Sequence, residues 1–515
     1  MDLPPLIRAL LAPARYGGAV KQVRLVQTHI SWVLLAGPFA YKIKKPVKLS
    51  FLDFSTLALR KHYCEDELRL NRRFCADLYL GVQGIFHTAQ DPQWKGQGPP
   101  IEYAVKMRRF AQSARLDRLC ARGRLMPRHV SELAHTVAAF HQSAAIARVQ
   151  SGFGAPASVR EQALQNFTDL QALRPDPQTR ARLPALQQWT EQQHQRLAPL
   201  MAARLQTGFV RECHGDLHLG NLVLLDHKVQ LFDCIEFSDA LRWIDVASEL
   251  AFTYVDLLVH GQPGLAGWFV NEALSHSGDY ASAPLLRFYA VYRALVRAKV
   301  ALLQAGESSV RRDEALALVA LAERLARPAP RQLAITHGVS GCGKTTTTTR
   351  MLQQDLQAQT LRLRMDVERK RLFGLQTQQA SGSDLNAGLY TPHATAQTYA
   401  HVLALAQALL QENWSVIVDG TFLQRAQRDC FRRMAGANLA QFSILAPRAP
   451  EQELRRRVGK RQQLGQDASE ASLAVLEQQL QSVQALAADE PAWPNAGSLA
   501  PGCEFASPEH SRSTE

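Results

Sequence analysis

The sequence predicts two unlike domains in one chain, a bilobal α+β domain followed by an α/β domain built on a parallel sheet. Strand-like runs crowd the first 110 residues, and helical periodicity then dominates to about residue 325. A proline-bounded break, Ala326-Arg327-Pro328-Ala329-Pro330, follows, and beyond it strands and helices alternate. At 515 residues the chain also exceeds what one core accommodates, since single cores stop growing near roughly 250 to 300 residues.

Composition narrows the class. Hydrophobic residues make up 46% and charged residues 20%, so the chain has apolar material enough to fold over most of its length. A net charge of +13 favours phosphates, nucleotides or other polyanions, although the Arg residues are scattered along amphipathic helices and form no basic tail. The eight cysteines contain no CxxC pair, which argues against a zinc or disulfide framework and for reduced thiols in the cytoplasm. Leu3, Leu6, Ile7, Leu10 and Leu11 share a helical face interrupted by Arg8, the pattern of a docking helix more than of a signal peptide. No apolar run is long enough to span a bilayer, so no membrane partner is expected.

The elements follow in order. Trp32-Val33-Leu34-Leu35 and Phe39-Ala40-Tyr41-Lys42-Ile43, divided by Gly37-Pro38, predict a small sheet. Helical spacing runs from Leu57 to Leu70, and Tyr103 to Met107 returns as a strand. Leu116 to Arg204 reads as almost wholly helical, broken clearly at Ser151 to Pro156, and a further helical stretch spans Leu285 to Leu325. After the linker the expected order is strand Leu333 to Thr336, helix from Lys344, strand Thr360 to Met365, helix His393 to Gln411 and strand Ser415 to Asp419. The tail from Pro501 has the composition of disorder.

Gly338-Val339-Ser340-Gly341-Cys342-Gly343-Lys344-Thr345 satisfies GxxxxGK[ST] between an apolar strand and a helix, the context a P-loop requires. Its glycines let backbone amides curl around a phosphate, Lys344 reaches the β- and γ-phosphates, and the Thr345 hydroxyl can ligate Mg²⁺. Gly338, Ser340, Gly341, Cys342, Gly343, Lys344, Thr345 and Thr346 are the expected ATP contacts. Asp419, closing an apolar strand, is placed to organise the metal. Asp366 follows a strand at the sheet edge where ligands bind and can accept a hydroxyl proton, with Arg369 one turn on to hold a substrate anion. Arg457 and Arg461, four apart on a helix, share a face that either closes over phosphates or is simply solvated.

The second constellation is His214-Gly215-Asp216-Leu217-His218-Leu219-Gly220-Asn221, followed by a strand and Asp233. Phosphoryl transfer needs a carboxylate to orient the acceptor and two oxygen ligands for Mg²⁺; Asp216 suits the first role, Asn221 and Asp233 the second. The spacing D-x-x-x-x-N is that of the kinase catalytic loop.

These motifs carry a resemblance. His214 to Asn221 and Asp233-Cys-Ile-Glu236 resemble the aminoglycoside phosphotransferase version of the kinase fold, over about residues 20 to 325. It implies that Lys42 is the lysine for the α/β-phosphates, with Lys44 as alternative, and that Glu67 is its ion-pair partner, with Glu65 as alternative. It also implies that Asp245 supports the catalytic loop, and that Met107-Arg108-Arg109-Phe110 is the hinge between lobes. No GxGxxG marks the first hairpin, around Gln27 to Ser31. Residues 331 to 490, with Asp366-Val-Glu-Arg369, Val418-Asp419-Gly420-Thr421-Phe422-Leu423 and Gln466-Asp467-Ala468-Ser469-Glu470, resemble small P-loop kinases related to polynucleotide, gluconate and zeta-toxin kinases. The whole order resembles a family of bifunctional aminoglycoside phosphotransferase and ATP-binding proteins.

The implied domains are a kinase-like domain over residues 1 to 327 (N-lobe about 20 to 107, C-lobe about 111 to 325), a P-loop kinase domain over 331 to 500 and a tail from 501 to 515. The implied function is phosphotransfer from ATP with Mg²⁺ at two sites to hydroxyls of small molecules. Two alternatives stay open: a nucleotide-binding regulator in which one domain gates the other, and a nucleic-acid end-processing kinase, which the charge permits but does not favour.

Overall fold

The computed structural model describes residues 3–49, 52–306, 308–327, 329–377, 379, 381, 388–464 and 469–493. The expected tail from Pro501 and the Gln466-Asp467-Ala468 stretch lie outside them. The chain forms two compact units: Met1–Leu133, Phe140–Asn166 and Thr190–Asp256 in the first, and Ala134–Ala139, Phe167–Trp189 and Leu257–Glu515 in the second.

The first unit opens with an antiparallel sheet of strands in the order Val23–Gln27, Ser31–Ala36, Phe39–Lys44, Glu102–Arg108, Tyr79–His87 and Pro92–Gln93. The two-residue repeat of a strand puts Lys42 and Lys44 on one face. The turn between the first two strands, which lacks the glycines of a phosphate-covering loop, is closed by Thr28, whose hydroxyl accepts from Ser31 N at 2.9 Å. Helix Leu57–Cys75, capped by the Thr56 side chain, packs on the sheet and turns Glu67 inward. The short helix Pro5–Leu10 docks as its apolar face predicts: Ile7 and Leu10 are fully buried with Leu34, Tyr41 and Ile43.

The hairpin Leu222–Leu225/Lys228–Leu231 turns on Asp226 and His227, both at positive φ, the geometry a two-residue hairpin loop demands. It returns the chain so that Phe232 N donates to Asn221 O at 3.0 Å, bringing Asn221 and Asp233 to one end. The stretch expected as nearly continuous helix is four helices, Leu116–Ala121, Pro127–Ser143, Pro156–Ala172 and Pro177–Gln206. Three of them begin at proline, which fits the first turn of a helix and stops the one before it.

In the second unit four parallel strands run in the order Thr360–Arg364, Ser415–Asp419, Gln332–Thr336 and Gln441–Leu445. Gln441–Leu445 adds a strand to those the sequence predicts, and Met365 opens the helix Met365–Leu372 instead of closing the strand. The expected helix from Leu285 to Leu325 is two, Ala283–Ala305 and Ser309–Ala326, separated at Gly306, whose φ of +46° a side chain would resist. Helix Pro263–Ser277 lies against the outer edge of the sheet, where the Asn271 amide donates to Thr360 O at 2.8 Å and accepts from Arg362 N at 2.6 Å. An edge strand thereby has its open backbone groups satisfied by a side chain. Among the described residues no helix is long and apolar enough to cross a membrane, and the seven described cysteines are free, six of them buried.

Candidate active sites

In the first unit, residues from three separate stretches meet. Lys42 Nζ donates to Glu67 Oε1 at 2.9 Å and to Asp233 Oδ1, while Lys44 Nζ donates to Glu67 Oε2 at 2.8 Å and to Glu236 Oε1. Both lysines, Glu67 and Glu236 are buried, whereas the Asp233 side chain keeps 43% of its exposure. The competition left open by sequence thus divides by geometry: Lys42 faces the exposed carboxylate and Lys44 the buried one. Glu65 is exposed and pairs only loosely with Lys61, at 3.6 Å. Burial raises the Glu67 carboxyl, but Lys42 and Lys44 more than offset this and hold it at about 2. Glu236, desolvated and close to Glu67, is raised despite Lys44.

Asp233 adopts φ +64°, a left-handed conformation tolerated by Asp, and its amide donates to the Tyr79 hydroxyl at 3.0 Å. In the loop before the hairpin, Asn221 Nδ2 donates to Asp216 O and Oδ2, both at 3.0 Å, and His218 Nε2 stands 3.3 Å from Oδ2. Among the described residues neither Asn221 Oδ1 nor Asp233 Oδ2 accepts a hydrogen bond, which leaves two oxygen donors of the type a hard cation takes. Gly215 is required: a Cβ there, at φ +86°, would stand 2.8 Å from Leu241 O.

The expectation that Asp245 supports this loop is corrected. Asp245 is taken up by Arg204, at 2.7 and 2.9 Å, and by Ala247 N. The loop amides go instead to Glu249, whose Oε1 accepts from His214 N at 2.6 Å and Gly215 N at 2.8 Å while Oε2 meets His141 Nε2 at 2.7 Å. One helical face later, Asp256 accepts from Leu219 N at 2.8 Å. The physical reason is position: Asp245 is consumed pairing strand Trp243–Asp245 with Val210–Glu212, and the helix after it projects Glu249 and Asp256 at the loop. A sequence signal existed in two acids seven apart on an otherwise apolar helix, which share one face.

In the second unit a cleft of about 540 Å³ is lined by Ser340 to Thr347, Asp366, Arg369, Asp419, Arg457 and Arg461 among others. It therefore collects every described side chain the sequence proposed for this half, with Gly338 just behind. Gly338, Gly341 and Gly343 all have φ in the left-handed region, and a Cβ on Gly338 would lie 2.9 Å from Cys342 Sγ. Lys344 Nζ folds back to Gly338 O and Val339 O at 2.9 and 2.8 Å. Asp419 Oδ2 lies 3.3 Å from the Thr348 hydroxyl, one turn beyond Thr345. Arg457 Nη1 donates to Gly341 O at 3.1 Å, tying the later helix to the loop.

Arg369 stacks over Tyr390 at 4.9 Å and donates to Leu389 O at 2.9 Å. Its Nε, like Arg461 Nη2, is buried with no partner among the described residues. Two desolvated guanidinium donors without acceptors suit a site that receives an anion. Glu470, from the motif ending Ser469-Glu470, lines the cleft as well, and so do Tyr390, Tyr399 and Arg448, which belong to no motif in the sequence.

Comparison with known proteins agrees with this layout. The phosphotransferase enzyme family matches residues 121–272, and an AAA domain matches residues 333–486. An uncharacterized protein of Mycobacterium tuberculosis is 31% identical over 411 residues, 79% of this chain and 80% of its own, and a Mycobacterium bovis protein matches equally. Among solved structures, a choline kinase of Cryptosporidium parvum is similar over 62% of this chain and 94% of its own, at 10% identity and a TM-score of 0.40. An unliganded sugar kinase of Janibacter is similar over 32% and 84%, at 19% identity and a TM-score of 0.24.

Proposed function

The chain belongs to the family, shared with the mycobacterial proteins, that joins a phosphotransferase domain to a P-loop AAA domain, and on that premise we propose an ATP- and Mg²⁺-dependent enzyme with two nucleotide sites. Each site transfers the γ-phosphate to a hydroxyl of a small molecule. We assign the first site to a domain of residues 1 to 327 and the second to residues 331 to 500.

The observation that carries this reading is convergence: Lys42, Glu67, Asp216, Asn221 and Asp233 meet in one unit, and Lys344, Thr345, Asp366 and Asp419 line one cleft in the other. At the first site Lys42, held by Glu67, binds nucleotide phosphates, and Asp216 orients the acceptor hydroxyl and takes its proton. At the second, the P-loop amides and Lys344 grip the triphosphate, Asp366 receives the acceptor proton, and Arg369 with Arg461 balances anionic charge. Asn221 with Asp233, and Thr345 with Asp419, are the residues that would hold Mg²⁺, which when bound neutralises charge on the β- and γ-phosphates.

The test is transfer of labelled γ-phosphate from ATP into a metabolite extract and into oligonucleotides, comparing wild type with Asp216→Ala and Lys344→Ala. Label in small molecules that each variant removes in part supports two active sites. Label only in oligonucleotides would replace the small-molecule acceptor, and hydrolysis without any labelled product would leave a regulator.

A further inference from the structure

Arg362, in the strand Thr360–Arg364, places a buried charge against the helix Lys344–Gln353 that follows the P-loop. It is 4% exposed, and its Nη1 donates to the hydroxyls of Thr348 at 3.2 Å and Thr349 at 2.8 Å. The Thr348 hydroxyl is in turn 3.3 Å from Asp419 Oδ2. A single hydroxyl therefore stands between a buried cation and the carboxylate placed to organise Mg²⁺.

A buried guanidinium seeks a counter-charge, because desolvation makes an unpaired one costly. Two carboxylates act on Arg362: Asp419, beyond the Thr348 hydroxyl, and Glu272, 3.7 Å from its Nη2 on helix Pro263–Ser277. That helix lies on the phosphotransferase side of the proline linker in sequence, yet it packs on this strand: Asn271 bonds Thr360 O and Arg362 N, and the Trp268 ring lies 5.3 Å from the guanidinium. The backbone at Arg362 and the charge at its tip are both set by residues preceding the P-loop domain by about sixty positions.

We propose that Glu272 is a positioning residue of the P-loop site, holding Arg362 on the Thr348 and Thr349 hydroxyls and away from Asp419, so that the Asp419 carboxylate stays available to the metal. Without the Glu272 charge, the balance between the two carboxylates is lost and Arg362 is drawn onto Asp419, and a carboxylate paired with Arg competes poorly as a ligand for Mg²⁺ or its waters. The inference rests on the P-loop reading given above. It makes the helix before the linker part of the nucleotide site in function as well as in packing.

The experiment is calorimetry on the full chain, counting as P-loop binding the ATP uptake that Lys344→Ala removes. Glu272→Gln should raise the Mg²⁺ concentration for half-maximal uptake about fivefold, with uptake of ATP in EDTA unchanged. The double variant Glu272→Gln/Arg362→Met removes both charges and should bring the Mg²⁺ requirement back to within about twofold of wild type. The double variant also serves if the single one folds poorly, since it leaves no unpaired charge. An unchanged Mg²⁺ requirement in Glu272→Gln, an equal loss of metal-free uptake, or no recovery in the double variant overturns the inference. Absence of Lys344-dependent uptake in wild type overturns the P-loop reading and the inference with it.

Discussion

Asn221 Nδ2 donates to both the main-chain oxygen and the carboxylate Oδ2 of Asp216, each at 3.0 Å, so one amide fixes the aim of the acid five residues before it. A carboxylate so held has little freedom to lose on meeting an acceptor hydroxyl, which is how positioning lowers a barrier. Replacing Asp216 with Ala should cut first-site turnover by a factor of about 10² to 10⁴ while leaving Lys344-dependent ATP uptake intact. Phosphate-transfer rates beside calorimetry measure both, and an undiminished rate refutes the assignment.

The two lysines should separate by experiment. Lys44→Met leaves Glu236 and one side of Glu67 without a partner in a buried site, a loss of about 3 to 5 kcal/mol. Lys42→Met also gives up one side of Glu67, but its second partner is Asp233, which its exposure lets water solvate, so stability suffers less and nucleotide affinity more. Urea unfolding and ATP titration of both variants check this, and identical effects on both quantities would remove the distinction.

Much of this was legible in the sequence, where backbone geometry depends on local residue type. Ser415 to Asp419 was bounded to the residue, and the P-loop and the Asp216 to Asn221 spacing were read directly, because glycine at left-handed φ and acid–amide spacing are local demands. What escaped depended on distant partners. The strand Gln441–Leu445 mixes Gln441 and Ser443 into a partly exposed run and is defined by its pairing with Gln332–Thr336, and the service of Asn271 and Glu272 to a strand some ninety residues later has no spacing code. Lys42 and Lys44 could be placed on one face but not ranked, because what separates them is which acid of Asp233-Cys-Ile-Glu236 each meets.

The pH response follows from His214. It is wholly buried, and desolvation drives its pKa below the ordinary 6.5 despite the nearby Glu249 and Asp216. Nε2 faces Phe232 O and Nδ1 accepts from Asp216 N, an arrangement that the neutral ring with its proton on Nε2 satisfies. The unfolded imidazole binds a proton near pH 6.5 and the folded one only below it, so this contribution is complete above about pH 6.5 and is lost as pH falls. His129, His276 and His337 are depressed by burial in the same direction, which makes the comparison with a variant the measurement. The urea midpoint should decline from pH 7 to 5.5 more steeply in wild type than in His214→Asn; parallel curves would show that His214 takes no part.

Glu249 and Asp245 provide the sharpest division between holding the loop from His214 to Asn221 and holding the fold. Both are buried acids near the start of one helix, but Glu249 Oε1 accepts the amides of His214 and Gly215, whereas Asp245 spends its oxygens on Arg204 and Ala247 N. Glu249→Gln keeps an oxygen for the amides but trades the charge that draws them in and meets His141 with a group of altered hydrogen bonding. Asp245→Asn removes the charge that takes both Nε and Nη2 of Arg204, 3% exposed, and should cost about 3 to 5 kcal/mol. At a temperature where both variants remain folded, Glu249→Gln should therefore lower first-site kcat about tenfold or more, and Asp245→Asn should leave it near wild type despite the larger loss of stability. The opposite pattern would return the support of the loop to Asp245, because an acid that only stabilises the fold has no route to kcat once the protein is folded.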